Sequence, residues 1–200
     1  MFERAVLETI RNRLVESPLT RLVNPDNIIV NLKDEPPPTV GSQFVLIVPK
    51  DRNNNSDSES SSRGTNYVLD RMGFDVICGA RTSVTPTDRL GLYLTKEYMS
   101  LSTIKDIVIT IVSQTNSSNN NNIATFIINK SKEYPSDIQE LLCSGISIGH
   151  GFEYINADAE PQPRYADYFN ANNDSDTSRP AGHTLICRFL SPSRIYSVQC

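Results

Sequence analysis

The sequence has little of what most catalytic and metal-binding sites require. It contains no tryptophan and only two histidines, His150 and His183. Its four cysteines are far apart and never form CxxC, which indicates reduced thiols rather than a disulfide framework or a zinc clamp. Its nine glycines form neither a GxxxxGK[ST] loop nor a strand-bound GxGxxG motif. We therefore predict no cofactor and no resident metal.

Long apolar runs and a surplus of positive charge are also absent. No run approaches the roughly 20 apolar residues that a membrane helix needs, and the opening MFERAVLETIRNRL is charged throughout. We therefore expect neither a membrane span nor a secretory signal, and a soluble intracellular chain. Lys and Arg number 19 against 23 Asp and Glu, a net charge of −4, which argues against a protein that coats nucleic acid.

The size fits one domain over residues 1–200, because 200 residues and 22.3 kDa suffice for a single core. At 38%, the hydrophobic content is slightly low for a compact globule, which indicates segments outside the packed body. Three polar segments lack enough apolar side chains to offset the entropy of ordering. They are predicted to be flexible loops at about 52–66, 114–122 and 157–182.

Hydrophobic periodicity predicts a helix at the start and two strands after it. The opening helix has an apolar stripe formed by Phe2, Val6, Ile10 and Leu14. Ser17-Pro18 should end it, because the residue before a proline is pushed out of helical geometry. Strands are predicted over 28–32 and 43–48, the second covered on both faces because Phe44–Val48 is continuously apolar.

Three further strands are predicted. The stretch 67–81 is strand-like, and 146–154 alternates strictly, with His150 on its apolar face. Residues 184–190 should pair with 146–154, with the segment between them as a long hairpin connection.

The middle of the chain should be helical. Thr85–Asp88 has the composition of a helix start, and Leu101, Ile104, Val108 and Ile111 mark a helical face. Because 107–112 is rich in β-branched residues, a strand remains open there. A short helix is predicted from Ser136 to near Gly145. The predicted class is α+β, with an N-terminal helix on a mostly antiparallel sheet, one or two further helices and long polar loops.

The sequence contains few candidate catalytic or metal-binding residues. No GxSxG or HExxH motif is present, and His150 reads as a structural histidine. His183 and Cys187 share a strand face but supply two of the four ligands that zinc usually takes. Asp34-Glu35 and the acids of 158–176 leave open a small metal-dependent hydrolase or nuclease, although such acids more often solvate loops.

The negative charge is concentrated in one excursion. Between residues 153 and 176, Arg164 is the only basic residue, so the segment carries −5 and the rest of the chain +1. The acidic residues are Glu153, Asp158, Glu160, Asp167, Asp174 and Asp176.

Three segments give the chain the layout of a known family. They are ERAVLETIRNRL, IIVNLKDEPPPTVGSQFVLIVP and FDVICGARTSVTPTDR, with a helix expected to follow. In this order of elements the chain resembles the phage tail terminator family of the lambda type and its relatives in contractile tails. The resemblance covers most of the chain, and the three polar loops make this chain longer than compact members.

The resemblance implies a non-enzymatic virion protein assembled in the host cytoplasm. It would form a homo-oligomeric ring, usually of six copies, that ends tail tube growth and joins the tail to the neck. Its partners would be the tail tube protein, a neck or connector protein and the sheath protein, while DNA would pass without specific binding. A head-completion or connector protein is the alternative within this class. The acidic excursion would then face the DNA channel or a basic partner, unless it is merely a solvated loop.

Overall fold

The computed structural model describes residues 2–32, 43–50, 67–81, 96–113, 147–149, 152–165, 180–191 and 193–197. Several predictions made from the sequence lie outside these residues. They concern the loops at 52–66 and 114–122, the helix start at 85–88 and the helix at 136–145.

Helix α1 (Phe2–Val15) forms where the apolar stripe predicts it. Val6, Ile10 and Leu14 are fully buried, which places one face of the helix in the core. Ser17 ends the helix region: its hydroxyl donates to the Leu14 carbonyl at 2.7 Å and accepts from the Leu19 amide at 3.2 Å. Two short 3₁₀ turns, Pro18–Arg21 and Pro25–Asn27, then lead into the sheet.

Helix α2 (Lys96–Ser113) settles the ambiguous apolar segment in favour of a helix. Leu101, Ile104, Val108 and Val112 are all fully buried, at the spacing of a helical face. The alternative strand over 107–112 is wrong, because packing of this face against the sheet overrides the preference of β-branched residues for strands.

The larger sheet contains six strands. In chain order they are β1 (Ile28–Val30), β2 (Gln43–Pro49), β4 (Gly73–Arg81), β6 (Glu153–Ala157), β7 (Gln162–Tyr165) and β8 (Pro180–Leu190). Their order across the sheet is β1-β2-β4-β8-β6, and β7 also pairs with β8. Strands β1 and β2 are parallel, with Ile28 beside Val45, and the other pairs are antiparallel.

A second sheet of three strands corrects two predictions. It consists of β3 (Tyr67–Asp70), β9 (Ser193–Ser197) and β5 (Ser147–Gly149), in that order. The stretch 67–81 is therefore two strands in two sheets, and so is the predicted strand 146–154. Alternation of apolar side chains looks the same whichever strand is the partner, so periodicity did not reveal the change of sheet.

The outer strand beside β8 is interrupted. Strands β6 and β7 both pair with β8, with Ala157 beside Cys187 and Gln162 beside Thr184. Residues 158–161 stand opposite only 185–186 and form a break between the two strands. We call β6, this break and β7 the broken edge strand. The predicted loop over 157–182 is wrong at 157, at 162–165 and at 180–182, because Ala157 ends β6 and the backbone of β7 pairs with the start of β8.

Both faces of the larger sheet are apolar. One face carries the main core, in which α1 and α2 cover residues such as Val76, Cys187 and Phe189. The opposite face carries a smaller cluster of Phe44, Leu46, Val48 and Ile77, with Ile29 and Ile186 beside it. The prediction that β2 is covered on both sides is thereby confirmed.

Gly79 lets the ring of Phe44 lie across the sheet on this second face. The two residues are direct partners in the β2–β4 pair. A Cβ atom at Gly79 would lie 2.1 Å from Cζ of Phe44, far inside van der Waals contact. The glycine is thus required by the close approach of the ring.

The fold class predicted from the sequence is confirmed. An N-terminal helix packs on a mostly antiparallel sheet, a second long helix covers the same face, and the class is α+β. Within the described residues, no helix combines the length and apolar character that crossing a membrane requires.

Candidate functional site

The acidic residues singled out in the sequence begin on the broken edge strand. Glu153 is exposed on β6, whereas Asp158 and Glu160 lie in the break and are partly buried. The side-chain amide of Gln162 donates to the Glu160 carbonyl at 3.1 Å. Asp167, Asp174 and Asp176 lie outside the described residues.

Glu153 is paired with an arginine distant in sequence. Nη1 of Arg71 lies 2.8 Å from Oε2 of Glu153, and Nε of Arg71 donates to the Ser191 carbonyl at 2.9 Å. Ser191 in turn joins Met72: its hydroxyl accepts from the Met72 amide, and its own amide donates to the Met72 carbonyl, both at 2.9 Å. These contacts tie the start of β6 to the residues preceding β4 and following β8.

Asp158 holds the break in the edge strand against β8. Its amide donates to the Ile186 carbonyl at 3.0 Å, and Oδ2 accepts from the Ile186 amide at 3.3 Å. A side-chain oxygen therefore takes the acceptor role that a backbone carbonyl has in regular pairing. Oδ1 accepts from Nη1 of Arg188 at 3.1 Å, and the same Nη1 lies 3.3 Å from Oδ1 of Asn156.

Four charged residues lie in a row across the second face of the sheet, and we call them the charge row. In spatial order they are Lys50, Asp75, Arg188 and Asp158, so the sign alternates. Nζ of Lys50 lies 3.3 Å from Oδ2 of Asp75, and Asp75 is the direct cross-strand partner of Arg188. With Arg188 bound to Asp158, the row is neutral and links residues from β2 to the broken edge strand.

Asp75 is the most buried member of the charge row, at 8% exposure. Burial raises the pKa of its carboxyl above the ordinary value, and Lys50 and Arg188 oppose this rise through their positive charge. Oδ1 of Asp75 is buried and has no hydrogen-bond partner in the structure. The carboxylate is thus held at the border of the apolar cluster of Phe44 and Ile77.

The histidine and cysteines offer no ligand set in the described part of the chain. His183 is buried on β8, on the same face as Cys187, as their even spacing predicts. Cys78 and Cys187 are buried free thiols, and their contact, together with burial, raises the pKa of Cys78. No three His, Cys, Asp or Glu side chains among the described residues are grouped so as to hold a metal ion. His150, Asp34 and Glu35 lie outside those residues.

An open groove of about 460 Å³ runs along the other edge of the sheet. Strand β1 supplies its apolar side, and α1 supplies Glu8, Arg11 and Asn12. Nε of Arg11 donates to the Ile28 carbonyl at 3.0 Å and so covers one acceptor of this terminal strand. Among the described strands, the larger sheet therefore has a three-residue strand at one edge and the broken edge strand at the other.

Comparison with protein-family models and with curated proteins found no match for this chain. The arrangement of the described residues therefore carries the functional argument. It offers paired charges, which hold an irregular edge strand in place, and two sheet edges of different shape.

The sequence did not reveal the basic partners of the acidic residues. Each basic partner is distant in the sequence: Lys50 is 25 residues from Asp75, Arg71 is 82 residues from Glu153, and Arg188 is 30 residues from Asp158. The count of charges over residues 153–176 therefore did not include Arg71 or Arg188. One feature of the sequence could have indicated such a pair. Asp75 interrupts the apolar stretch from Phe74 to Cys78, and a charged side chain in a buried strand is usually paired with an opposite charge.

Proposed function

We propose that the protein is a structural subunit of a homo-oligomeric ring. The observation that supports this proposal is the pair of unlike edges of the larger sheet, β1 and the broken edge strand. Unlike surfaces on opposite sides of a subunit make head-to-tail contacts, and such contacts close into a ring when the rotation between copies fits. Residues 153–156 on the outer strand are exposed, which leaves that edge accessible to a neighbour.

The ring is assigned to the head-proximal end of a phage tail. There, as a tail terminator of six copies, it would stop tube growth and join the tail to the neck, in contact with tube, neck and sheath proteins. The order of α1, β1 and β2 supports this assignment, because the resemblance of the sequence to that family rests on the same order of elements. In this proposal the protein belongs to the virion, is assembled in the host cytoplasm and is not an enzyme.

Five of the six acidic residues divide into two groups in this proposal. Glu153 and Asp158 are bound by Arg71 and Arg188, so we assign them to shaping the outer edge. Asp167, Asp174 and Asp176 remain the candidates for facing the DNA channel, where like charge would keep DNA from adhering.

The proposal is tested by the state of the purified full-length chain, alone and with tail tube protein. Light scattering after gel filtration, together with negative-stain electron microscopy, should show rings with a central hole. Tubes polymerised with the protein should be capped and shorter than tubes grown without it. A compact monomer at every concentration that leaves tube length unchanged would overturn the proposal.

A matched pair of variants locates the contact. Ile155 is half exposed, at 50%, on the outer strand, and a lysine there should prevent edge-to-edge pairing. Ile155→Lys is therefore expected to abolish rings, while Thr110→Lys, on the exposed side of α2, should leave them intact. Rings that survive Ile155→Lys would exclude the broken edge strand as the contact.

A further inference from the structure

The guanidinium nitrogens of Arg13 are buried and have no hydrogen-bond partner. Arg13 lies in the last turn of α1, and its Cζ atom is 4.6 Å from the centroid of the Phe152 ring. Its Nε, Nη1 and Nη2 atoms are buried and make no hydrogen bond in the structure. Spaced at i, i+4 and i+7, Val6, Ile10 and Arg13 continue one stripe of the helix, so the arginine occupies an apolar position.

The guanidinium remains charged in this setting. Burial lowers the pKa of Arg13 to about 10, which still leaves it protonated at neutral pH. Five N–H donors on a charged group are thus withdrawn from water, and the face of Phe152 compensates only part of that loss. The folded chain retains a cation whose hydrogen-bonding capacity is unused.

Four other described arginines each donate a side-chain hydrogen bond to a carboxylate or a backbone carbonyl: Arg4, Arg11, Arg71 and Arg188. Nε and Nη2 of Arg81 are also buried without a partner, whereas in Arg13 all three nitrogens are. Glu153 directly follows Phe152 in the chain, but its carboxylate is bound by Arg71. No described carboxylate is left in contact with Arg13.

Phe152 gives Arg13 a fixed platform. The ring is 4% exposed and packs edge-on against Phe74 at 6.0 Å, and Phe74 stacks on Phe189 at 5.4 Å. The long arginine side chain, in contrast, has rotatable bonds by which its guanidinium can leave the ring. Arg13 as a whole is partly exposed, so it lies near the surface although its three nitrogens are buried.

We propose that Arg13 is the receptor for an oxyanion, a carboxylate or phosphate group that the planar guanidinium binds through two parallel N–H donors. In the unliganded chain the guanidinium rests on Phe152. The oxyanion has two possible sources: a free anion, or a carboxylate of a second copy of the chain. The inference does not depend on the phage assignment, because it rests on the local geometry of Arg13 alone.

The test compares the full-length wild type with Arg13→Met and with Arg4→Met as a matched control on the exposed side of α1. Methionine keeps an unbranched apolar stem against Phe152 but has no charge and no donor. Melting temperatures are measured in chloride, acetate and inorganic phosphate at equal ionic strength. Phosphate stabilises many proteins by exclusion from their surface, and Arg13→Met measures that general effect.

In wild type, phosphate or acetate should raise the melting temperature by roughly 3–6 °C for each tenfold increase above the dissociation constant. Arg4→Met should respond equally. Arg13→Met should show only the general response to phosphate and none to acetate, and it should be at least as stable as wild type in chloride. If a second copy supplies the carboxylate, the melting temperature should instead rise with protein concentration in wild type and not in Arg13→Met.

Two results would overturn the proposal. One is an equal response of wild type and Arg13→Met to both anions and to protein concentration. The other is a wild-type melting temperature that neither anion nor protein concentration changes. In either case Arg13 would serve only to pack against Phe152.

Discussion

Nη1 of Arg188 lies 3.1 Å from Oδ1 of Asp158, and this pair fastens the broken edge strand to β8. The two side chains are 31% and 16% exposed, so the pair is shielded from solvent more than a surface ion pair is. Asp158 also accepts from the Ile186 amide, so one side chain supplies both the charge and the acceptor at the break.

Asp158→Ala should lower the free energy of unfolding by about 1–3 kcal/mol, because it leaves Arg188 and the Ile186 amide without their partner. Asp158→Asn keeps an acceptor for the amide and should lower it less. Urea denaturation of both variants gives the comparison. Glu8→Gln, in the exposed Arg4–Glu8 pair, is the control and should change stability by no more than about 0.5 kcal/mol. Equal values for Asp158→Ala and Glu8→Gln would show that the break needs no support from this residue.

Stability should depend on pH through Asp75. Burial raises the pKa of its carboxyl in the folded state above the ordinary 3.8, so the folded chain binds the proton more tightly than the unfolded chain does. The contribution of Asp75 to stability is therefore fully present below the ordinary pKa and is lost as pH rises through the folded-state value.

Asp75→Asn removes this dependence, because the amide does not titrate. The difference in unfolding free energy, wild type minus Asp75→Asn, should fall from acid to neutral pH and then level off. Denaturation series at several pH values measure it, and Asp26→Asn, at an exposed position, is the matched control. A difference that rises with pH would mean that Lys50 and Arg188 outweigh burial at Asp75.

Gly79 and Phe44 should be energetically coupled. Gly79→Ala places a Cβ 2.1 Å from Cζ of Phe44 and should lower the free energy of unfolding by about 1–3 kcal/mol through overpacking. In a Phe44→Leu background the ring is gone and the penalty should shrink. A double-mutant cycle by chemical denaturation measures the coupling, and additive effects would contradict the close approach of this ring to Gly79.

Substitution by alanine should destabilise the protein on the buried face of α2 and not on its exposed face. Ile104→Ala removes a fully buried side chain and should lower the free energy of unfolding by about 2–5 kcal/mol. Thr110 is exposed, and its hydroxyl donates to the Asp106 carbonyl of the same helix at 2.8 Å, so Thr110→Ala should change the free energy of unfolding by no more than about 0.5 kcal/mol. Similar losses at both positions, measured by urea denaturation, would contradict the burial pattern of this helix.

The local pattern of apolar residues was sufficient to predict α1 and β2. The stripe of Val6, Ile10 and Leu14 predicted α1, and the apolar run Phe44–Val48 predicted a strand buried on both faces. Periodicity was insufficient for Ile107–Val112, where β-branched residues favour a strand in isolation and packing against β4 and β8 produces a helix.

By itself, the sequence determined the α+β class, the opening helix and its end at Ser17-Pro18, because these follow from side-chain period and backbone sterics within a few residues. Tertiary structure alone decided that 146–154 belongs to two sheets, that 162–165 is a strand, and that Glu153 and Asp158 meet Arg71 and Arg188. It also decided that Arg13 lies unpaired on Phe152. These relationships join residues far apart in the chain, and which charges meet depends on the register of the strands that carry them.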